Sequence, residues 1–519
     1  MDIRIRPAAA GMPVRLQNAP ESTPKRHILK LMLLLVAFFS ATSVVAADPH
    51  ALGKIEPKVA NEAASLGSSE ALIIFGEQAD LSGAENLPTK AARGQYVYNA
   101  LREVAERTQA PLRQMLKDRG IPFTSYYSVN MIKVRGDLNT LYEVAGREDI
   151  LRIEANPRVK APVPAANSSL RPSALSNLST SVGMKTTGGV EWNVQRVNAP
   201  QVWAMGYTGQ GIVVAGADTG VQWDHIALKS HYRGWNGTTV NHAYNWHDAT
   251  IAPSATPVDP QFHGTFTMSE MVGDDGKGNQ VGVAPGAKWI ACRNMDKNGV
   301  GSPATYLECF DWLLAPYPVG HPELANPTMA PDVVNNSWAC PPSEGCSVAT
   351  LLQAVNALKA AGIFTVAAAG NTGSTCSSVN QPPAIYGGAI SSGSTNSLNY
   401  ISTFSSRGPV TVDGSNRLKP EIVAPGENIR GAIPYNNMYQ GYWSGTSMAA
   451  PHIAGAVALL WQAKPAKYNG NIIATQNALT QNATHITTTQ SCGAFNGRAI
   501  PNAVFGYGLL NILSAVQAP

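Results

Sequence analysis

Between residues 211 and 462, short apolar runs of strand type alternate with helical stretches, and this alternation constrains the fold more than anything else in the chain. The runs are GIVVAG at 211–216, AKWIAC at 287–292, DVVN at 332–335, GIFTVAA at 362–368 and EIV at 421–423. Helical spacing covers 265–272, 304–314, 349–361 and 448–462. Continuous apolar strands joined by crossovers of this kind predict an α/β fold, a parallel sheet flanked by helices. Ligands of such a sheet sit beyond the carboxyl ends of its strands. Three polar clusters fall at such ends: Asp218-Thr219-Gly220, Asn336-Ser337-Trp338 and Gly370-Asn371.

One further stretch points to the same edge. Gly445-Thr446-Ser447-Met448-Ala449-Ala450-Pro451-His452 puts a serine at a Gly-Thr turn, and an apolar run of buried-helix composition follows to Leu460. A hydroxyl at a helix N-terminus faces unpaired N–H groups and the positive dipole end, which favour a nucleophilic oxygen and its oxyanion. On its own the stretch reads equally as a helix cap. A serine nucleophile needs a base and an orienting carboxylate. His263 opens a helix beside Gly264, and Asp218 ends a buried strand, from which it can accept one ring N–H while the other nitrogen faces Ser447. His452 shares the Ser447 helix and reads as a packing residue; His225, His231, His242 and His247 read as solvated loop residues. His242, His247, Asp248 and Asp259 match no strong metal-ligand spacing.

The N-terminal third reads differently. Residues 1–47 form a cationic leader, a Lys25-Arg26 flank, an apolar run from Leu31 to Phe39 and small residues before Asp48, the pattern of a signal peptide with an extended leader. Export suits the six cysteines, all between Cys292 and Cys492, with Cys340 and Cys346 the expected disulfide pair. Residues 68–160 carry strand patterns at 71–75, 123–134 and 150–154 and helical patterns at 93–117 and 138–144, a β-α-β-α-β order that predicts a small α+β ferredoxin-like domain. It holds no cysteine and no catalytic cluster, so it is either a binding module or a pro-segment. The Pro-, Ser- and Thr-rich 161–189 is the exposed linker where a cut would fall. A net charge of +4 over 519 residues, with no long basic run, gives no case for nucleic acid or stable membrane association.

Together, Asp218-Thr219-Gly220, His263-Gly264-Thr265, Ala369-Gly370-Asn371 and the 445–452 stretch resemble the subtilisin-like serine proteases, in their order Asp, His, Ser. Glu191-Trp192-Asn193-Val194, Asn335-Asn336-Ser337-Trp338 and Phe404-Ser405-Ser406-Arg407-Gly408-Pro409 resemble, within that family, the bacillopeptidase F-like group. The resemblance implies a subtilisin-like catalytic domain at 190–519 that hydrolyses protein or peptide substrates. It assigns Ser447 as nucleophile, His263 as general base and acid, Asp218 as orienter and Asn371 as oxyanion donor. Gly299, Val300 and Gly301, with Ser337, Trp338 and Ala339, become the edges between which a substrate strand pairs. Residues 68–160 become an inhibitory, folding-assisting propeptide. No cofactor is implied for the chemistry; Asp274-Asp275-Gly276-Lys277-Gly278-Asn279 lies where many relatives bind structural calcium and reads otherwise as a solvated turn.

The chain departs from the family pattern after His263, where Phe266, Met268 and Glu270 stand in place of a histidine and small residues, and at Ala339, which replaces a glycine. Three rivals follow. No serine has the Gly-x-Ser-x-Gly setting of a lipase. The acid-active sedolisins use a glutamate base, for which Glu270 with Asp274 has suitable spacing. The third is a secreted protein of the same fold that binds partners without cleaving them.

Overall fold

The structure, a computed structural model, describes residues 53–161 and 189–519. The signal peptide expected at 1–47 and residues 162–188 of the expected linker lie outside the described residues. Seven strands form the main sheet: β6 (Val213–Asp218), β7 (Trp246–Asp248), β8 (Lys288–Arg293), β10 (Val333–Asn336), β11 (Phe364–Ala368), β12 (Ile390–Thr395) and β13 (Ile422–Pro425). Their order is β13-β12-β11-β10-β6-β8-β7 and every neighbouring pair is parallel.

Because successive side chains of a strand face opposite ways, β6 feeds two cores. Val214 joins Met268, Trp289 and the apolar helix α7 (Thr446–Ala463) on one face. Ala215 and Ala217 join Phe310 and Leu313 of α5 (Pro303–Leu314) and Val355 of α6 (Leu352–Ala360) on the other. The α7 helix is buried from Thr446 to Trp461 and, apart from its polar head and His452, is apolar on every face. Helix α4 (His263–Val272) packs beside it. A strand pair, β14 (Ile429–Ala432) and β15 (Tyr439–Trp443), leads into α7.

The segment 53–161 builds its own four-stranded sheet from β1 (Ser69–Phe75), β2 (Phe123–Tyr126), β3 (Met131–Gly136) and β4 (Ile150–Ala155), in the antiparallel order β2-β3-β1-β4. Helices α1 (Pro57–Leu66), α2 (Lys90–Asp118) and α3 (Leu138–Ala145) accompany it. Thr89 caps α2 by accepting from Ala92 N at 3.2 Å, and Asp137 caps α3 through Thr140 N at 2.8 Å. The single strand expected at 123–134 is instead a hairpin, because the chain turns at 127–130, and α1 lies ahead of the expected start at 68. The hairpin turn docks on α5: Tyr127 N and Ser128 N donate to the Asp311 carboxylate at 3.1 and 2.9 Å.

The expected Cys340–Cys346 disulfide is present, accompanied by Cys292–Cys309 and Cys376–Cys492. No helix among the described residues is long and apolar enough to cross a membrane.

Candidate active site

The carboxyl ends of β6, β10 and β11, neighbours in the sheet, bring the three polar clusters to one edge, facing the start of α7. Asp218, the last residue of β6, is 2% exposed. Its Oδ1 bonds His263 Nδ1 at 2.8 Å and accepts from Thr219 N at 2.7 Å, while Oδ2 accepts from Thr267 Oγ1 at 3.3 Å. His263 is therefore locked at Nδ1, and its Nε2 is buried without a partner. Burial alone would lower the imidazole pKa. The Asp218 charge and hydrogen bond, with the Asp259 charge, outweigh it, and the pKa rises above its ordinary value.

What aims His263 is the loop before it. Asp259 is buried, and its Oδ1 accepts from Thr219 Oγ1, Gln261 N and Phe262 N at 2.8, 3.1 and 2.9 Å. Its Oδ2 accepts from Thr265 N and Thr265 Oγ1 at 2.8 and 2.7 Å, so one carboxylate closes the first turn of α4 and ties it to the turn after β6. Burial raises the Asp259 pKa despite these donors. Gly264 fills a narrow gap: a Cβ there would lie 2.0 Å from Gly220 O. Sequence reasoning weighed Asp259 only as a metal ligand. Its capping role has a local signal, an aspartate shortly before a helix start, that a capping search would have found.

Ser447 is the second residue of α7 and 1% exposed. Its Oγ donates to Ser337 O at 3.1 Å, and Ser337 Oγ returns a bond to Ser447 O at 2.8 Å. The structure thus joins Asp218 to His263 directly and Ser447 to the end of β10, with the hydroxyl turned to Ser337 and not bonded to His263. Asn371 follows β11; its Oδ1 accepts from both Thr446 N and Thr446 Oγ1 at 2.9 Å. Thr446 Oγ1 in turn accepts from Gly370 N at 3.1 Å. Since a carboxamide oxygen held twice fixes the plane, the Asn371 Nδ2 donor has one direction left. Thr446 was missed as an orienting residue, its threonine being indistinguishable from a cap in sequence.

The edge at Gly299, Val300 and Gly301 carries a paired strand. β5 (Val159–Lys160) runs antiparallel to β9 (Val300–Gly301), and Ala161 N donates to Gly299 O at 2.7 Å. Lys160 N donates to Glu344 Oε2 at 2.8 Å, from inside the Cys340–Cys346 loop. On the other edge Ser337 is committed to Ser447 and Asn335, and Ala339 is partly exposed. The Trp338 indole lies in the core, stacked on Tyr306 at 4.0 Å and donating to Ala217 O at 2.8 Å. Only its backbone is left to an edge.

The remaining candidates separate. His452 donates Nδ1–H to Met448 O at 2.8 Å and accepts from Asn193 Nδ2 at 2.8 Å, and burial pushes its pKa down to about 4. His225 and His247, expected in solvent, are buried. His242 bonds Tyr232, His247 bonds Glu308 at 2.9 Å, and Asp248 pairs with Arg293 at 3.1 Å, so these side chains and Asp259 form no common centre. Among the described residues no cluster of three or more His, Cys, Asp or Glu is arranged to hold a metal. In the acidic loop the carboxylates turn inward, Asp274 onto Gly276 N and Asp275 onto Lys277 N, Asn279 N and Asn279 Nδ2, a poor fit to calcium. Glu270, the glutamate of the sedolisin alternative, is fully buried with both oxygens unpartnered, and burial, then the Asp218 charge, holds its pKa well above the usual carboxylate range.

A family model described as the Subtilase family matches residues 209–508. The chain is 37% identical over 464 residues to bacillopeptidase F of Bacillus subtilis (strain 168), covering 85% of this chain and 30% of that protein. It is 28% identical to subtilisin E of the same organism, covering 63% of this chain and 71% of that protein. It is 31% identical over 329 residues to subtilisin Savinase of Lederbergia lenta, covering 63% of this chain and 99% of that protein. The chain therefore spans under a third of bacillopeptidase F and nearly all of subtilisin Savinase. With the sheet, the Asp218–His263 pair and the serine at the head of α7 already in hand, these matches show that the chain belongs to the subtilase family of serine endopeptidases.

Proposed function

We propose that the chain is an exported serine endopeptidase made as a prepropeptide, in which 190–519 cleaves peptide bonds and 68–160 is its inhibitory pro-segment, cut within 161–189. The observation that carries this reading is the His263 imidazole, tied to Asp218 through Nδ1 and left with an unpartnered Nε2 at the sheet edge that Ser447 also faces. The reading requires Ser447 Oγ to leave Ser337 O and bond to that nitrogen; such bonds are often loose before substrate binds. Oγ then bonds to the scissile carbonyl carbon as its proton passes to Nε2, and the departing amine takes that proton as the C–N bond breaks. Water repeats the sequence on the acyl-enzyme. Asp218 keeps Nδ1 protonated and steadies the imidazolium. Asn371 Nδ2 and Ser447 N donate to the oxyanion.

Pairing of β5 with β9 supports a substrate that adds itself as a strand along 299–301. It also supports the pro-segment's tail as the first occupant of that edge.

Wild type and Ser447→Ala are compared for casein hydrolysis and intact mass. Loss of the first ~160–190 residues with casein digestion in wild type alone supports the reading; identical trimming without digestion in either overturns it. The Ser447–Ser337 bond is what a binding protein without cleavage would keep, and a serine-directed phosphonylating reagent that fails to label Ser447 would favour that alternative. In an active enzyme, Asn371→Ala lowers turnover by about 10² to 10³ with little change in KM, the usual cost of one oxyanion donor.

A further inference from the structure

The tail strand β5 has two sides, and each is met differently. Towards β9, Val159 stands opposite Gly301, and Ala161 N donates to Gly299 O at 2.7 Å. In an antiparallel ladder the residue between them turns its N–H the other way, where a further strand would offer a carbonyl. Here Lys160 N donates to Glu344 Oε2 at 2.8 Å, so a side-chain carboxylate stands in for that strand. Val159 is fully buried while Arg158 and Lys160 are exposed, and a slip of one residue would reverse this. The register is therefore fixed, and with it the N–H that Glu344 receives.

The loop that carries Glu344 is held independently of the tail. The Cys340–Cys346 disulfide closes it, Glu344 N and Cys346 N donate to Pro341 O at 2.9 and 3.3 Å, and Gly345 N donates to Pro342 O at 2.9 Å. Cys340 N donates to Pro382 O at 2.8 Å, which ties the loop to the chain between β11 and β12. Every one of these bonds lies within 190–519, so a strand that docks on Glu344 meets a preorganised backbone. Gly345, at φ +95°, allows the close approach: a Cβ there would stand 3.4 Å from Pro157 Cβ. Asp296 is a second carboxylate beside the tail. Its Oδ1 accepts from Asn298 N and Val300 N at 2.8 and 3.0 Å, and its Oδ2 meets Arg158 Nη2 at 3.6 Å. That ion pair is largely in water and contributes little. A bond from a backbone N–H to a carboxylate is charge-assisted and directional, so Glu344 is the group of the two that can select.

We propose that Glu344 is a specificity-determining residue, which accepts a backbone N–H from the substrate residue that precedes the one bonded to Gly299 O. The substrate class is then an extended peptide with a free N–H at the place of Lys160. Proline or an N-methylated residue at that place is disfavoured whatever its side chain, since neither has a proton to give. The inference deepens the endopeptidase reading and rests on it, with the tail strand standing in for a substrate.

The test uses a peptide copied from the tail, Asn156-Pro157-Arg158-Val159-Lys160-Ala161, as an inhibitor of casein hydrolysis by the wild-type and Glu344→Ala enzymes. N-methylation at Lys160 should raise the inhibition constant about tenfold for wild type and less than about twofold for Glu344→Ala. N-methylation at Ala161, whose N–H meets backbone, should weaken binding alike in both. Glu344→Gln, which keeps an uncharged acceptor, should fall between wild type and Glu344→Ala. In the uncut Ser447→Ala chain, adding Glu344→Ala should speed amide hydrogen exchange at Lys160 about tenfold and at Ala161 by less. This second arm needs neither self-cleavage nor activity, so it decides the contact even where the Glu344 variant does not mature. Casein digestion with equal Lys160 N-methyl penalties in wild type and Glu344→Ala, or unchanged exchange at Lys160, overturns the role of Glu344 and leaves the endopeptidase reading standing. A wild-type chain that never digests casein overturns that reading, and the substrate assignment falls with it.

Discussion

At His263 two opposing effects meet, and their balance sets the direction in which the imidazole pKa moves. Burial favours the neutral ring; the Asp218 charge and hydrogen bond and the Asp259 charge favour the cation and win. In its proposed role as general base His263 must be neutral, so kcat/KM should rise with pH along a limb whose midpoint lies above the ordinary imidazole value of about 6.5. Asp218→Asn should bring that midpoint down and lower kcat by about 10⁴, measured as a pH–rate profile on a peptide amide. A midpoint unmoved by Asp218→Asn would mean that another group titrates. The Glu270 carboxyl presents the opposite case. Its folded pKa is raised, so the folded state holds a proton that the unfolded state gives up, and stability falls as pH climbs from about 4.3 toward the folded value. Glu270→Gln should gain on wild type by up to about 1.4 kcal/mol per pH unit in that window and by nothing below it. Thermal midpoints at pH 4 and pH 8 check this. Ser447, His263 and Asp218 were legible because each has a telling local setting: a helix head, a glycine beside a helix start, the end of an apolar strand. Thr446 and the fully packed Trp338 were not, since what a threonine orients or an indole stacks on is decided by strands distant in sequence.

Helix α4 and the loop before it carry His263, the proposed base, and a single side chain organises them. Asp259 takes five hydrogen bonds, from Thr219 Oγ1, Gln261 N, Phe262 N, Thr265 N and Thr265 Oγ1, so Asp259→Ala would leave buried donors unmet and let the start of α4 drift. A misplacement of about 1 Å at His263 costs about 10² in kcat, and the same change should lower stability by roughly 2–3 kcal/mol. Asp259→Asn keeps the acceptor at one position only and should fall between. Unchanged kcat in Asp259→Ala would show that Asp218 and Thr267 alone hold the ring. The apolar strands β6, β8, β10, β11 and β13 were readable from composition, as was α7. Strand β12, Ile390-Ser-Ser-Gly-Ser-Thr395, was not: it is buried throughout, yet nearly all its side chains are small and polar. Ser391 and Ser394 meet their needs through Glu421 and Ser402, contacts that no strand pattern encodes. The three residues of β7 are too few for periodicity to register, and the 123–134 run hid its turn because Val129 and Asn130 are as buried as the strands on either side.

Across the whole molecule the three disulfides differ less in chemistry than in how much chain each one closes, and that sets what their loss should do. Cys376–Cys492 closes 116 residues and Cys340–Cys346 only 6. If cross-links act by restricting the unfolded chain, the first contributes about 5 kcal/mol and the second about 2 kcal/mol. Cys376→Ser with Cys492→Ser should therefore lower the thermal midpoint more than Cys340→Ser with Cys346→Ser, at equal scan rate. The short loop, however, carries Glu344, which accepts from Lys160 N on the strand that fills the cleft edge. Opening it should loosen that strand, seen as faster dissociation of a cut N-terminal segment and a higher KM for extended peptides, with little change in kcat. If opening the short loop instead costs as much midpoint as opening the long one and leaves peptide KM unchanged, then Cys340–Cys346 is a stabilising staple and Glu344 does not need it to reach the cleft.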